Sequence, residues 1–308
     1  MPLSFDSHKS KDTGNYYYLD DVYKNLKIRG LRMKVLFFDK RILHRFYGTL
    51  SVMSVITSIV FLFVDIDTKY KTVIGLAALA FLIVVYIGIW IHSNFRQNIK
   101  LKINTSEVEV KFGDIFSEQA DLKVIAFNEY FDTLVDDKII AKSSLNGVFI
   151  DKFFKNKVDE LDDIISSDSH LIEAIVGENK DRASGKKTKY KLGTICVVND
   201  YLITALTHFD VNNKAYLEIN DYINCLLNFW NEVDRVYAGR TVALPVLGSG
   251  ITRFRGYENI SDQELLELII WTFKVSRIKF TYPSKMKIVV YKGKSEKINL
   301  LALKDLEP

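Results

Sequence analysis

Two uncharged stretches constrain this chain more than any other feature. Phe46 to Val64 and Val73 to Ile91 each run for nineteen residues without an Asp, Glu, Lys or Arg. As helices rising about 1.5 Å per residue, each would extend roughly 28 Å, close to the hydrocarbon thickness of a bilayer. A helical hairpin buried in a soluble core is the alternative, but core helices keep a polar stripe, and the polar residues here are only Ser, Thr and Tyr. The expectation is a two-helix transmembrane hairpin over 46–91, with spans 46–64 and 73–91 joined by the short polar loop Asp65 to Thr72. No charged residue lies inside either span, so an ion pathway lined by such groups is not indicated in a single copy. Ser51, Ser54 and Ser58 share one face of the first span, a small-residue stripe suited to close helix approach within the hairpin or between copies.

The flanks suggest an orientation. Arg29, Arg32, Lys34, Lys40, Arg41 and Arg45 precede the first span, and Arg96, Lys100, Lys102 and Lys111 follow the second, whereas the loop holds Lys69 and Lys71. The positive-inside rule then places both termini in the cytoplasm. Residues 1–45 read as a cytoplasmic N-terminal segment. Its first 28 residues are polar, carry the cluster Tyr16-Tyr17-Tyr18 and lack a cleavable signal pattern. From Arg29 to Arg45 the basic residues alternate with Leu31, Val35, Leu36, Phe37, Ile42 and Leu43, as in a basic amphipathic segment on an anionic membrane surface or an ordinary solvated helix.

Past the second span the hydrophobic period changes. Leu101 to Ile103 and Val108 to Phe112 alternate as strands about a turn at Asn104 to Ser106, and Val124 to Phe127 is a short strand ended by Asn128. Ser144 to Gly147 reads as a turn before a helix over 148–154. The lysine-rich insertion 179–191 reads as a solvated loop or as a guard for an anionic ligand. Strands follow at 194–198 and 201–209, then a helix over 218–233 with Ile219, Tyr222, Ile223, Leu226, Trp230 and Val233 on one face. The last pieces, 286–291 and 297–303, read as strands about a turn at Lys292-Gly293. This alternation is that of an α/β domain over 101–308. The formal charge of +4 is too small to indicate a nucleic-acid partner. Cys196 and Cys225 lack zinc or disulfide spacing and read as buried free thiols of a reducing compartment, and no metal site is visible.

The most informative loop lies in TVALPVLGSGIT, Thr241 to Thr252. An apolar run from Val242 to Leu247 breaks into Gly248-Ser249-Gly250, as a buried strand ending in a tight loop does. Ser261 to Glu264 then forms a capping box ahead of Leu265, Leu268, Ile269 and Phe273 at helical spacing. With the strand at Met286 to Tyr291 this is a βαβ unit, whose ligands settle beyond the carboxyl ends of the strands. The glycines allow backbone amides to approach an anion such as phosphate; a tight turn without a ligand is the plain alternative. A nucleophile elbow needs glycine where Leu247 stands, and a dinucleotide fingerprint needs one where Arg253 stands.

With these positions placed, the soluble half resembles a macro domain, the α/β module that binds ADP-ribose. Gly113-Asp114-Ile115 looks like the family's GDI, whose aspartate accepts from the adenine amino group. Val124 to Asn128 resembles the strand ending in an asparagine near the distal ribose. Leu247-Gly248-Ser249-Gly250-Ile251 is similar to the loop whose amides hold the phosphates, and Ser144-Leu145-Asn146-Gly147-Val148 stands where the family has its first phosphate loop, without the usual three glycines. Thr252-Arg253 replaces an aromatic-glycine pair. The resemblance implies a macro-like three-layer α/β domain with a mixed sheet, and ligand contacts from Asp114, Ile115, Asn128, Ser144, Asn146, Gly147 and Leu247 through Arg253.

A hairpin followed by this variant domain resembles the membrane effectors of type II Thoeris antiphage systems. That resemblance implies a multi-pass protein of the bacterial inner membrane with no catalytic residues and no cofactor. A TIR-domain enzyme would supply its ligand, an ADP-ribose derivative such as a histidine conjugate. Binding would cause homo-oligomerisation and disruption of the lipid bilayer, ending in abortive infection. Two other readings remain from the residues alone. A membrane-anchored ADP-ribosyl hydrolase would draw acid-base chemistry from His170 and His208 with Asp132, Asp136 or Asp210; an anchored adaptor would need no nucleotide at all.

Overall fold

The computed structural model describes residues 33–64 and 67–308. The tyrosine cluster at 16–18, the start of the basic segment at Arg29 to Arg32, and Asp65 and Ile66 of the expected loop lie outside the described residues. Helix α1 (Lys40–Phe61) is capped by Asp39, whose carboxylate accepts from Arg41 N at 2.8 Å, and α2 (Thr68–Asn94) by Asp67, which accepts from Lys69 N at 3.1 Å. Neither follows its uncharged run. α1 takes in Lys40, Arg41 and Arg45 and stops at Phe61, so its uncharged part, 46–61, is about 24 Å long. Among the described residues α2 is the one helix long and apolar enough to cross a membrane. Large apolar side chains stand exposed on both helices, among them Val55, Ile59, Leu76 and Val84.

The expected amphipathic segment is instead partly a non-helical tether. Asn94 Oδ1 accepts from Lys34 N and Val35 N at 2.7 and 2.9 Å, Trp90 Nε1 donates to Val35 O at 3.0 Å, and the Tyr86 hydroxyl donates to Phe37 O at 2.5 Å. Val35, Ile42 and Tyr86 bury together with Leu301 from the far end of the chain. Between the helices, Gly48 and Gly88 line one groove with Val52 and Val85, while Ser51, Ser54 and Ser58 stay exposed. A Cβ at Gly48 or Gly88 would meet nothing within 4 Å, so neither the glycines nor the serine stripe brings the two helices into close approach here.

The α/β half is built on a mixed sheet, nine-stranded among the described residues. β1 (Asn98–Ile103) and β2 (Ser106–Gly113) form the expected antiparallel pair. β3 (Leu122–Asn128) lies further in. A two-stranded ribbon, β4 (Ile175–Glu178) with β5 (Thr188–Tyr190), stands apart. Then come β6 (Ile195–Val198), β7 (Tyr201–Phe209), β8 (Ala215–Glu218), β9 (Val242–Pro245), β10 (Arg253–Arg255) and β11 (Met286–Tyr291). The order is β1-β2-β11-β9-β3-β7-β8-β10, with β6 on β7. β2, β11, β9, β3 and β7 run parallel, so the βαβ reading of 242–291 holds.

Alternate residues of the central strands face opposite ways, and this makes three layers. Val124, Val242, Leu244, Ile288 and Val290 pack with α6 (Ile219–Val236) and α7 (Asp262–Val275). Ile125, Ile203, Ala243 and Val289 pack with α3 (Leu145–Phe154), α4 (Val158–Ser167) and α5 (Ser169–Glu173). Of the positions expected on the buried face of α6, Tyr222, Leu226, Trp230 and Val233 are buried; Cys225 and Phe229 join them. Both cysteines are buried free thiols, and burial pushes the Cys225 thiol up to about 12.

Two expectations are corrected. The supposed strand at 297–303 is helical: short 3-10 turns cover Lys292–Lys297 and Leu300–Leu306. Both edges of β11 are already paired, and Asn299 caps the second turn by accepting from Leu301 N and Ala302 N. Nor is the insertion 179–191 simply a solvated loop. The Arg182 guanidinium binds the buried Asp132 carboxylate at two points, 3.0 and 2.6 Å, and lies 3.9 Å from the centre of the Tyr130 ring. β5 completes a hairpin with β4, turned through Gly185 at φ +90°. An arginine in a polar run gave no sign that its partner would be a buried aspartate fifty positions away.

Candidate functional site

At the carboxyl ends of β2, β3, β9 and β11 the sheet opens into a cleft of about 590 Å³. Most of the expected site residues meet there. Asp114, Ile115, Asn128, Ser144, Asn146, Leu247, Gly248, Ser249, Gly250, Ile251 and Thr252 all line it. Gly147 and Arg253 do not. Gly147 is buried in the first turn of α3, where a Cβ would collide with the Ala141 carbonyl oxygen, and Arg253 is an exposed residue of β10.

Asp114 caps the 3-10 turn Ile115–Ser117, accepting from Phe116 N at 3.1 Å, and is among the residues that line the cleft. Asn128, by contrast, is buried and engaged. Its Oδ1 accepts from Tyr130 N at 2.9 Å, and its Nδ2 donates to Asp132 Oδ2 at 3.0 Å. These bonds use its carbonyl oxygen and one of its two amide N–H groups. Ser144 to Gly147 is not a free turn ahead of a helix but the N-cap and first turn of α3; Ser144 Oγ accepts from Gly147 N at 3.2 Å.

The 247–252 loop is pinned from three sides. The buried Tyr222 hydroxyl donates to Leu247 O at 2.7 Å. Gly248, at φ +82°, leaves room for the Phe254 ring, whose Cζ would be 3.1 Å from a Cβ there. Ser249 Oγ donates to Asp262 Oδ1 at 2.5 Å, and Lys294 Nζ donates to both, at 2.7 Å to Ser249 Oγ and 2.9 Å to Asp262 Oδ1. Burial pushes the Asp262 carboxyl up, but the Ser249 hydroxyl and Lys294 ammonium outweigh it and hold the carboxyl below its ordinary value. The backbone N–H of Ser249 is engaged as well, donating to Val246 O at 3.1 Å.

Sequence reasoning missed the other walls. Phe116, Ile139, Ile140, Thr207, Phe209 and Tyr291 line the cleft together with Asp262 and Lys294. Asp262 stood in the recognised capping box and Lys294 beside the recognised Lys292-Gly293 turn, but spacing of 13 and 45 residues from Ser249 carries no sign of contact. The histidines of the hydrolase reading lie elsewhere. His170 Nε2 pairs with Glu232 at 2.7 Å and His208 Nδ1 with Glu129 at 2.8 Å, and neither lines the cleft. Asp132 is held by Arg182, while Asp136 and Asp210 accept from nearby backbone N–H groups. No group of three or more His, Cys, Asp or Glu able to hold a metal occurs among the described residues.

A mixed three-layer sheet with a glycine loop closing a cleft at its strand ends is the architecture of a macro domain, and the family described as "Thoeris protein ThsA, Macro domain" matches residues 108–291. The Thoeris protein ThsA of Bacillus amyloliquefaciens strain Y2 is 42% identical over 248 residues, 80% of this chain and 82% of that one. This chain therefore belongs to the Thoeris ThsA family. Among solved structures, the Oceanobacillus iheyensis macrodomain with ADP aligns at a TM-score of 0.44 and 14% identity, over 68% of this chain and 96% of that one. The macrodomain of Thermus aquaticus DarG aligns at 0.34 and 11%, over 60% of this chain and 97% of that one.

Proposed function

We propose that this protein is a signal-gated membrane effector of antiphage defence, whose cleft takes an ADP-ribose derivative. The observation that carries the reading is the cleft itself: Asp114 lines one part, a loop with Gly248 half-buried and Gly250 exposed closes another, and apolar walls run between. Such walls suit an adenine and ribose, and the loop amides suit a diphosphate. Membership of the Thoeris ThsA family supports the defence role. The ligand would come from a TIR-domain enzyme, with a histidine conjugate of ADP-ribose as the leading candidate.

Helices α1 and α2 would form a hairpin in the bacterial inner membrane with both termini cytoplasmic. A ligand can drive them only if it binds two states unequally. A short route joins the two ends: Tyr291 and Lys294 stand on the cleft wall, while Leu301 packs with Ile42 and Tyr86 at the base of the helices. Ligand-driven ordering along 291–306 would favour contacts between copies, and clustering of the helices would breach the bilayer. The test is calorimetric titration of the full chain in detergent with ADP-ribose, its histidine conjugate and NAD, beside dye release from liposomes. Tight binding of the conjugate without turnover, coupled to leakage, is the expected result. Gly250→Glu, which sets a carboxylate in the cleft, should abolish both; unchanged binding by that variant would refute the site, and release of free ADP-ribose would favour a hydrolase.

A further inference from the structure

Ser249, Asp262 and Lys294 meet at the cleft from three separate elements: the glycine loop, the first turn of α7 and the 3-10 turn after β11. Their arrangement poses an electrostatic problem. The Asp262 carboxylate stands one hydrogen bond from the loop proposed to hold a diphosphate, and like charges at that range in a partly buried site repel. Lys294 offsets it. An ammonium has three N–H donors; Ser249 Oγ and Asp262 Oδ1 take two, which leaves a third on a lysine that lines the cleft.

We infer that Lys294 is the specificity-determining cation of this cleft, taking the anionic part of a diphosphate ligand on its third N–H while Asp262 holds it in position and limits affinity through its own charge. The inference rests on the reading of the cleft as a site for an ADP-ribose derivative. It assigns the two residues opposite signs. Removing the Lys294 charge weakens diphosphate binding and leaves adenosine, which has no phosphate, unaffected. Removing the Asp262 charge strengthens diphosphate binding, because the amide oxygen of an asparagine in its place would still accept from Ser249 without repelling the ligand.

The experiment titrates the full chain in detergent with ADP-ribose and with adenosine, at low and high salt, for the wild type, Lys294→Gln, Lys294→Arg and Asp262→Asn, each first checked for cooperative thermal unfolding. The expected results are at least a tenfold loss of ADP-ribose affinity with a shallower salt dependence in Lys294→Gln, substantial rescue in Lys294→Arg, and a severalfold gain in Asp262→Asn. A purely structural trio would lose affinity in both Lys294→Gln and Asp262→Asn; that outcome, or no change in Lys294→Gln, overturns the inference and leaves the site standing. Absence of ADP-ribose binding by the wild type and by Asp262→Asn overturns the site reading and this inference together.

Discussion

Arg41 and Asp305, 264 positions apart, form a two-point ion pair: Arg41 Nε lies 3.0 Å from Asp305 Oδ1 and Nη2 lies 2.6 Å from Oδ2. The pair ties the first turn of α1 to the last 3-10 turn of the chain, beside the buried contact of Leu301 with Ile42. Asp305 is well exposed, so solvent screening limits its contribution to below about 1 kcal/mol. Leu301→Ala, at 2% exposure, is expected to cost ~2–5 kcal/mol and to release the helix pair, whereas Asp305→Asn should change little. Thermal unfolding with limited proteolysis near residue 40 measures both; greater damage from Asp305→Asn would place the anchor in charge instead of packing.

A second prediction concerns Glu118, which is buried between two ammonium groups. Lys287 Nζ lies 2.7 Å from its Oε1 and also donates to the Gln119 carbonyl, and Lys111 Nζ lies 2.9 Å from Oε2. Burial pushes the Glu118 carboxyl up, but its hydrogen bonds to Lys287 and Lys111 prevail and lower it. A lowered native pKa stabilises the fold above the ordinary carboxylate value, about 4.3, and that contribution is lost as pH falls through the native value. Glu118→Gln, which leaves Lys287 buried without its counter-charge, should cost ~3 kcal/mol at neutral pH. Chemical denaturation of both proteins from pH 7 to pH 3 should show the gap closing only below about pH 4.

The Arg182 clamp predicts a local consequence with a global cost. Asp132 at 1% side-chain exposure and Arg182 at 6% are each other's counter-charge. Asp132→Asn should destabilise by ~3–5 kcal/mol, since the guanidinium would stay buried without a counter-charge. Hydrogen exchange should rise first in residues 179–191, because Lys186 N also donates to Asp132 at 2.8 Å, and then at Tyr130, which Asn128 orients. Exchange unchanged in 179–191 would mean that the β4–β5 pairing alone holds the insertion.

The two loop glycines should behave differently. Gly248→Ala puts a side chain into the left-handed region and a Cβ at 3.1 Å from Phe254, and should cost about 1–2 kcal/mol from backbone strain alone. At Gly250 a Cβ meets nothing within 4 Å and φ is not positive, so Gly250→Ala should leave the melting temperature near that of the wild type. Differential scanning calorimetry separates the two cases, and equal losses would show that the loop needs flexibility at both positions.

Much of the α/β half was legible because its signals are local. The apolar run from Val242 to Leu247 reads as a buried strand; the strand itself covers Val242–Pro245, and Gly248 takes the positive φ in the turn that follows. The apolar stripe from Tyr222 to Val233 and the Ser261 capping box are likewise properties of neighbouring residues. Errors arose where a local pattern had two solutions. Ile298 to Leu303 is apolar enough for a strand, but with β11 already paired on both sides it coils into 3-10 turns that bury Leu300 and Leu303 in the domain core and Leu301 under the helices.

From the sequence by itself came the division into an apolar helical part and an α/β part, the strand-loop-helix-strand unit and the glycine loop, since hydrophobic period and backbone freedom are written in adjacent residues. Only the tertiary structure decided where the helices end, what packs at their base, and what stands around the loop. Lys294 beside Ser249, Arg182 on Asp132 and Arg41 on Asp305 join residues 45, 50 and 264 positions apart. No periodicity carries such information: a charged side chain reads as solvated wherever it stands, until folding places a partner against it.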